Sequence, residues 1–387
     1  MIDVHLHVQR GPRLALALAS CLAVLCWSLA CFPAFSPALA AEKFPIYTCI
    51  RPNVQFWEYV YSRYSSHQGI VHDTNDLRRI YAIVDFVDWK LPGAERINNE
   101  RAEAAKKRVA DILTRLGSGT PPRTVEERRI ARFFPAKRGA VYHEARQNIR
   151  LQLGQSDRFR EGVIRSGKYL AQFKQIFIAQ GLPPELAYLP HVESSFNPRA
   201  YSKAGAAGLW QFTRSTGNEY LTINELIDER YDPYVATQAA ARFLQGNYEL
   251  LRTWPLALTA YNYGRTGTLK AVREMGGYEK IFRFYNQGWF KFASRNFYSE
   301  FLAATRLAIR MGNTPRFPFE RPEKTVTVRL GQDMTIGRVQ AVYRISAEQF
   351  IRLNPAFLPP VLKGERAIPQ GYQVRLPAPS KEKKRRT

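Results

Sequence analysis

Apolar residues recur at helical spacing along most of the chain. In segment 102–116 they return at alternating steps of three and four, with charged residues on the other face, and Gly117 follows as the expected C-terminal cap. Thr124, with Glu127 three residues later, predicts a capping box that opens the next helix. We therefore predict a helical region over residues 41–150, and since it carries no chemical motif we interpret it as a scaffold.

The densest helical pattern lies in segment 151–318. One apolar stripe ends at Gly181, and Pro183 and Pro184 then open a new helix that runs toward Glu193. Small residues at helical spacing further on permit close packing between helices. The pattern predicts an all-α domain.

After Pro322 the period changes from that of a helix to that of a strand. A strand is predicted at 325–330, short helices at 336–343 and 347–353, and a closing strand at 372–376. Segment 322–377 is thus a predicted βααβ module, followed by a basic tail at 378–387. The predicted fold class is mainly α, with two flanking regions around an all-α domain.

The first forty residues have the pattern of a secretory signal. Arg10 and Arg13 precede an apolar run from Leu14 to Cys31, and Ala38-Leu39-Ala40 has the small-x-small cleavage pattern. We predict a signal peptide at 1–40 and a location in the periplasm or cell envelope. Two alternatives stay open, namely an uncleaved anchor, because the run approaches the roughly 17 to 25 residues that span a bilayer, and a lipid-bearing Cys21.

The net charge of +24 is carried by 57 Lys and Arg spread along the whole chain. Such a charge predicts polyanionic partners. We expect no nucleic acid, since no recognition signature for it occurs, and an anionic envelope polymer or membrane surface fits equally well. Cleavage of the signal would leave only Cys49, which excludes an intramolecular disulfide. The six His show no metal-ligand spacing, so neither a metal nor a cofactor is expected.

Candidate chemistry is concentrated in three short motifs. Glu193 with Ser194 comes first, Gln211 follows in Gly-Leu-Trp-Gln-Phe, and Tyr261 with Asn262 lies in Ala-Tyr-Asn-Tyr-Gly. Together they offer one acid, two amides and several aromatic rings, which suits cleavage of an N-acetylated sugar polymer. A glycosidic oxygen must be protonated by a carboxylic acid, whose pKa then has to lie above the ordinary value of about 4.3.

The neighbours of Glu193 suggest how its pKa is raised. The residue is expected in the last turn of a helix, where the dipole is negative, and Phe196 and Trp210 could shield it from water. Both effects favour the neutral acid. An exposed glutamate at a helix end is the alternative reading of the motif taken alone.

These motifs resemble the lytic transglycosylase family of bacterial cell-wall enzymes, whose fold is similar to goose-type lysozyme. The resemblance rests on the Glu-Ser pair, on Gly205–Phe212, on Ala260–Gly264 and on a later Tyr298, in family order. It covers roughly residues 160 to 310. Trp in the Gly-Leu-Trp-Gln block makes the chain look most like the membrane-bound lytic murein transglycosylase D type.

The resemblance implies that Glu193 acts first as acid and then as base on the bond between N-acetylmuramic acid and N-acetylglucosamine. The muramic acid's own C6 hydroxyl replaces water, which gives a 1,6-anhydro product, so one carboxylate suffices where most glycosidases use two. The implied substrate is the peptidoglycan glycan strand. The residues implied to line the sugar site are Ser194, Gln211, Tyr261, Asn262 and Tyr298.

The C-terminal module resembles a LysM domain, which is a peptidoglycan-binding fold. Val328–Asp333, Leu353–Pro355 and Ile368–Pro377 carry the resemblance. The turn after the first strand is shifted and the region before the last strand is lengthened, so weak glycan affinity is expected. A structural cap is the alternative interpretation.

Two other function classes remain as hypotheses: a lysozyme-like hydrolase and a non-catalytic peptidoglycan-binding scaffold. A hydrolase needs a second carboxylate, and none is evident. Asp228 and Asp232 are the nearest candidates, although Asp232 is better explained as a helix cap. His191 is expected to pack rather than to act in catalysis. The complete motif set argues against a scaffold.

Overall fold

The computed structural model describes residues 43–135 and 139–379. Two compact units are distinguished, 1–43 and 44–387, and every element below lies in the second. The predicted signal segment and most of the basic tail lie outside the described residues. Within the described ranges, no helix is both long and apolar enough to cross a membrane.

The N-terminal region combines helices with a small sheet. Its strands pair antiparallel in the order β2-β1-β3, with Ile70 of β1 opposite Ile83 of β2 and Gln152 of β3. The elements are a 3-10 helix at Thr48–Ile50, α1 at Arg51–Ser62, β1 at Gln68–Asp73, β2 at Ile80–Asp85, α2 at Ala94–Gly117, α3 at Val125–Ala131, α4 at Gly139–Gln147 and β3 at Ile149–Leu153.

The prediction of a helical region over residues 41–150 was therefore wrong in part, because the region also contains a three-stranded sheet. Strands β1 and β2 are rich in β-branched and aromatic residues and are joined by a turn in which Asp73 accepts hydrogen bonds from the amides of Asn75 and Asp76, a pattern typical of a hairpin. Strand β3 also crosses the predicted boundary at 150. The helix predicted around 102–116 is confirmed as part of α2, and the capping box of Thr124 and Glu127 is present.

The central region is all helical after β3. Its main core joins α9, α10 and α13, whose buried faces carry many alanines. The elements are α5 at Ser156–Ser166, α6 at Leu170–Ala179, a 3-10 helix at Pro184–Tyr188, α7 at Pro190–Glu193, α8 at Arg214–Asn218, a 3-10 helix at Glu229–Tyr231, α9 at Pro233–Leu251, α10 at Trp254–Tyr263, α11 at Arg265–Met275, α12 at Tyr278–Phe284 and α13 at Phe292–Gly312.

The N-terminal helix α1 is part of the same core. It packs along α13, where Asn53 donates a hydrogen bond of 2.7 Å to the side-chain oxygen of Asn296. Just before α1, the buried ring of Phe44 lies 5.5 Å from Phe301 and 6.0 Å from Trp254. The region interpreted as a scaffold therefore covers a helix of the central domain directly.

The C-terminal segment forms a two-stranded antiparallel sheet with helices between its strands. The short α16 was not predicted. The elements are β4 at Thr325–Arg329, α14 at Ile336–Tyr343, α15 at Ala347–Leu353, α16 at Pro359–Leu362 and β5 at Gln373–Pro377. These elements pack around one hydrophobic cluster.

That cluster also includes Leu226 and Ile227 of the central region. The amide of Leu358 donates to the carbonyl of Leu226 at 2.9 Å, and the amide of Asp228 donates to that of Ala356 at 2.8 Å. Phe357 bridges to Ile227 and is only 4% exposed. The C-terminal segment is therefore packed against the loop that precedes α9 and is not a freely tethered appendage.

Replacing Phe357 with alanine is expected to lower the free energy of unfolding by about 3–5 kcal/mol, the usual cost of emptying a buried aromatic site. Its ring stacks on Phe350 and packs against Tyr372, so a cavity would form at the contact between the two regions. Urea denaturation followed by circular dichroism measures the change. Val342→Ala, at a position 47% exposed, is the control, with a change under about 0.5 kcal/mol; equal stability of both variants would contradict the prediction.

Candidate active site

Glu193 is the last residue of the short helix α7, as the sequence predicts. Its amide donates to the carbonyl of Leu189 at 3.2 Å, which continues the helical turns that begin at Pro184. The chain then turns sharply, because Ser195 and Phe196 have φ values of 49° and 53°. For residues other than glycine this left-handed conformation costs about 1–3 kcal/mol each and persists only where the surroundings impose it.

Helix α5 stabilises this turn through two contacts with the carbonyl group of Ser195. A Cβ atom at Gly162 would lie 2.7 Å from the carbonyl oxygen of Ser195, so only glycine permits the contact. Arg165, one turn later, donates a hydrogen bond of 2.8 Å to the same oxygen. The end of α7, and with it Glu193, is thereby fixed against α5.

Two hydrogen bonds join the three sequence motifs. The hydroxyl of Ser194 donates to the carbonyl of Leu209 at 2.9 Å, and the hydroxyl of Tyr261 donates to the carbonyl of Trp210 at 2.7 Å. Ser194 therefore links Glu193 to the Gly-Leu-Trp-Gln motif, which is a positioning contact. The structure brings Ser194 and Tyr261 together around one loop.

Gln211 and Asn262 are placed differently from each other. Gln211 has a φ of 49°, and its amide group donates to the carbonyl of Gly208 at 2.9 Å. Asn262 is exposed, and its oxygen accepts a hydrogen bond of 2.8 Å from the hydroxyl of Ser294. Of the two predicted amides, Asn262 is thus the more accessible to a ligand.

A buried ion pair fixes the Gly-Leu-Trp-Gln loop from the other side. Asp228 accepts two hydrogen bonds from the Arg230 guanidinium, at 2.9 and 2.7 Å, and Arg230 in turn donates to the carbonyl of Gly205. A Cβ atom at Gly208 would lie 1.8 Å from the Arg230 carbonyl, which requires glycine there. Asp228 therefore holds Arg230 in the position from which Arg230 fixes this loop.

Asp232 is the N-cap of α9, where it accepts hydrogen bonds from the amides of Tyr234 and Val235. The prediction of a capping role for Asp232 is confirmed. Asp232 therefore caps α9, and Asp228 is held in a buried ion pair with Arg230, which are structural roles for both residues.

The structure does not bring Tyr298 to the site. Its side chain is 0% exposed, and its hydroxyl donates to the carbonyl of Pro45 at 3.0 Å. The helical period explains the difference, since Phe297 and Glu300 share a face of α13 and Tyr298 points elsewhere. Phe297 instead lies against Tyr261, with ring centroids 6.4 Å apart and nearly parallel planes.

Sequence reasoning missed a second carboxylate, Glu300 of α13. Helix α13 packs against both α1 and α7, so Glu300 lies close enough to Glu193 for the two charges to repel each other. The hydroxyl of Tyr61, from α1, donates a hydrogen bond of 2.6 Å to Glu300. Neither Tyr61 nor Glu300 lies in one of the sequence motifs. Only the helical period of α13 could have indicated which face of that helix Glu300 occupies.

Burial dominates the electrostatics of this pair. It raises the pKa of Glu193 to about 8, with a further contribution from Glu300. Burial also raises the pKa of Glu300, to about 7, against the opposing effect of the Tyr61 hydrogen bond. That bond stabilises the ionised form of Glu300, which favours Glu193 as the member of the pair that keeps its proton.

His191 lies under the site and is 1% exposed. Its ring is packed 4.4 Å from Phe196 and 5.2 Å from Phe159, and neither ring nitrogen has a hydrogen-bond partner. Burial, assisted by Arg165, lowers its pKa to about 3. The packing role expected for His191 agrees with this environment.

The described residues contain no group of three or more His, Cys, Asp or Glu arranged to hold a metal ion. The site brings together carboxyl, amide and hydroxyl groups, namely Glu193 and Glu300, the amide of Asn262, and the hydroxyls of Tyr61 and Tyr261. Such a set can donate a proton and later accept one.

Comparison with protein families identifies the class of the central domain. Residues 175–283 match the transglycosylase SLT domain. That range contains Glu193, Gln211, Tyr261 and Asn262, whereas Glu300 lies beyond it. The sequence match to this domain family is therefore limited to residues 175–283.

Curated relatives agree with this class. Over 96 residues the chain is 40% identical to membrane-bound lytic murein transglycosylase D of Escherichia coli K12. The aligned segment covers 24% of this chain and 21% of that protein. It is 33% identical over 124 residues to membrane-bound lytic murein transglycosylase F 2 of Alkalilimnicola ehrlichii, 29% of this chain and 26% of that protein. The chain spans about a fifth to a quarter of the length of these relatives.

Among solved structures, the chain is similar to the lytic transglycosylase Slt of Pseudomonas aeruginosa, at 13% identity and a TM-score of 0.32, covering 59% of this chain and 36% of that one. The 70 kDa soluble lytic transglycosylase of Escherichia coli follows at 16% identity and a TM-score of 0.29, covering 62% and 40%. At these TM-scores the likeness carries no argument.

Replacing His191 with leucine is expected to flatten the acid side of the stability profile. The unfolded chain protonates His191 near its ordinary pKa of 6.5, but the folded protein keeps the ring neutral down to about pH 3. The unfolded state therefore binds more protons, and stability falls as the pH falls below about 6.5. Without the ring, this decline becomes shallower.

Urea unfolding at a series of pH values from 7 to 4 measures the effect. His72, whose pKa burial lowers to about 4, remains in the variant and leaves a residual decline. At pH 7 the variant is expected to be at least as stable as the parent, because two unpartnered buried nitrogens are removed. An unchanged slope would show that His191 is not the group responsible.

Proposed function

We propose that this protein is a peptidoglycan lytic transglycosylase that cleaves the β-1,4 bond between N-acetylmuramic acid and N-acetylglucosamine. The observation that carries the proposal is a carboxylic acid, Glu193, whose pKa is raised to about 8 by burial and by Glu300, inside a matched transglycosylase SLT domain. An acid of this kind is protonated at neutral pH and can donate to a glycosidic oxygen.

In the proposed reaction Glu193 donates its proton to the glycosidic oxygen as the bond from that oxygen to the sugar C1 breaks. The C6 hydroxyl of the same muramic acid then attacks C1, and its proton passes to the Glu193 carboxylate. The new C6–O–C1 bond closes a 1,6-anhydro ring. The acid is regenerated, and no water enters the product.

The other residues have supporting roles in this proposal. Asn262 is the accessible amide and would bond to an acetamido group of the sugar. Gln211 and Tyr261 would border the same space, while Ser194 acts by positioning Glu193. Glu300, ionised and held by Tyr61, adds a negative charge that favours the positive charge developing at C1.

One observation favours a second candidate, a lysozyme-like hydrolase. Glu300 is a carboxylate beside Glu193, and a hydrolase requires such a group as general base for water or as nucleophile. In that reaction the product would carry a reducing end in place of the anhydro ring. The hydrogen bond from Tyr61 weakens Glu300 as a base, which is why the transglycosylase remains the preferred function.

The domain arrangement is proposed on the same basis. The central domain at 151–318 would hold the chemistry, the region at 41–150 would complete it through α1, and the LysM-like module at 322–377 would add affinity for peptidoglycan. An envelope location fits both that substrate and the net charge of +24. Anionic envelope polymers or the membrane surface are further proposed partners.

Replacing Glu193 with glutamine is expected to reduce turnover of purified sacculi by about 10²- to 10⁴-fold or more, since acid and base assistance are each worth about that much and both depend on this side chain. The amide preserves the shape of the site, so folding and glycan binding should persist. Mass spectrometry of released products measures the effect. Glu320→Gln is the matched control, because Glu320 lies in a surface ion pair with Lys168. Asp228→Asn would be a poor control, because it breaks the buried ion pair with Arg230.

Replacing Glu300 with glutamine is expected to move the alkaline limb of the pH–rate profile to lower pH. Activity falls as pH rises through the pKa of Glu193, and removing the neighbouring charge lowers that pKa. Burial, the larger cause, remains, so the limb should still lie above the ordinary glutamate range. Glu320→Gln should leave the limb in place.

The same variant separates the two candidate functions. A transglycosylase should continue to release anhydro products at lower pH. If the parent instead released reducing ends, and Glu300→Gln abolished that release at every pH, the hydrolase would replace the proposed function.

A further inference from the structure

Trp289 is 89% exposed, which exceeds the exposure of every other large apolar side chain in residues 43–135 and 139–379. It lies in the loop 285–291 between α12 and α13. Phe284, at the end of α12, is also 64% exposed. Two solvent-exposed aromatic rings five positions apart in sequence indicate a contact surface, because covering their apolar area with a ligand is favourable.

The loop that carries Trp289 is built as a fixed support. On either side of it, Tyr285 and Phe290 are buried and their rings meet at 5.4 Å. Gly288 has a φ of 54°, a conformation that favours glycine. The amide of Phe290 donates to the carbonyl of Gln287 at 3.1 Å, closing a turn around the exposed residue. Trp289 is therefore presented to solvent by an anchored loop.

The same loop is in contact with the candidate active site. The hydroxyl of Tyr263 donates to the carbonyl of Gln287, and the Tyr263 ring lies 5.1 Å from Phe290. Tyr263 directly follows Asn262, whose side chain is bonded to Ser294 at the start of α13. The loop that carries Trp289 is therefore joined through Tyr263 to the Ala-Tyr-Asn-Tyr-Gly motif of the site.

We infer that Trp289 forms a distal sugar subsite, in which a pyranose ring of the bound glycan strand stacks on the indole. One face of such a ring presents C–H groups, which pack on an aromatic surface, while its hydroxyls remain in water. The exposed Arg283 and Lys291, close to Trp289 in sequence, suit the carboxylates of the stem peptides or of muramic acid residues that carry no peptide. This inference rests on the proposed function and assigns Trp289 to strand binding, away from the reacting bond.

Glycan strands of increasing length are used to test the proposed subsite. Uncrosslinked, soluble glycan strands of increasing length are titrated against the full chain carrying Glu193→Gln, which prevents cleavage, and affinity is measured by calorimetry. We expect a step in affinity once strands are long enough to reach Trp289. Adding Trp289→Ala should remove this step and weaken binding of long strands by about 10-fold, the loss typical of truncating an aromatic contact.

Two variants serve as controls. Trp289→Phe keeps an aromatic face and should retain part of the step, and Val125→Ala, at an exposed apolar position on α3, should leave it unchanged. Long strands should give the Glu193→Gln parent an additional change in indole fluorescence that the Trp289→Phe protein lacks, whereas a signal from Trp210 at the site should be common to both proteins.

Three results would overturn the inference. If the Glu193→Gln parent bound glycan strands and Trp289→Ala bound them equally well, the subsite alone would fail. If the parent did not bind glycan strands at all, the proposed function would fail with it. If Trp289→Ala lost binding to phosphatidylglycerol vesicles while its glycan affinity was unchanged, Trp289 would belong to a membrane contact.

Discussion

Two carboxyl groups, Glu193 and Glu300, lie together in a partly buried site, and they resist ionising at the same time. The hydrogen bond from Tyr61 decides which of them gives up its proton, because it stabilises the carboxylate of Glu300. Glu193 is consequently left as a neutral acid. The surrounding structure holds the two carboxyl groups close to each other. Helix α5 supports the strained turn after Glu193, and α13 places Glu300 near Glu193.

This constraint explains why the N-terminal region is more than a scaffold. Tyr61 belongs to α1, and α1 is fixed to α13 by the bond between Asn53 and Asn296. Removing or displacing α1 would therefore free Glu300 from its donor and change the proton distribution at Glu193. A residue about 130 positions before the acid in sequence thus takes part in its chemistry through packing alone.

Local signals in the sequence predicted the features that depend on neighbours along the chain. The position of Glu193 at a helix end, the cap at Asp232 and the capping box of Thr124 follow from short-range hydrogen bonds and are present. Features that depend on distant contacts were not predictable in this way. Glu300 meets Glu193 only because α13 packs against α7, and the choice of Glu300 and Phe297 over Tyr298 depends on how α13 is rotated.

The central claim is that Glu193 is a protonated acid at neutral pH. Its most direct test is a carboxyl titration by carbon-13 NMR, with Glu193→Gln used to assign the resonance. The expected result is a titration of Glu193 near its pKa of about 8, after that of Glu300. A midpoint for Glu193 near the ordinary glutamate value of about 4.3 would contradict the account.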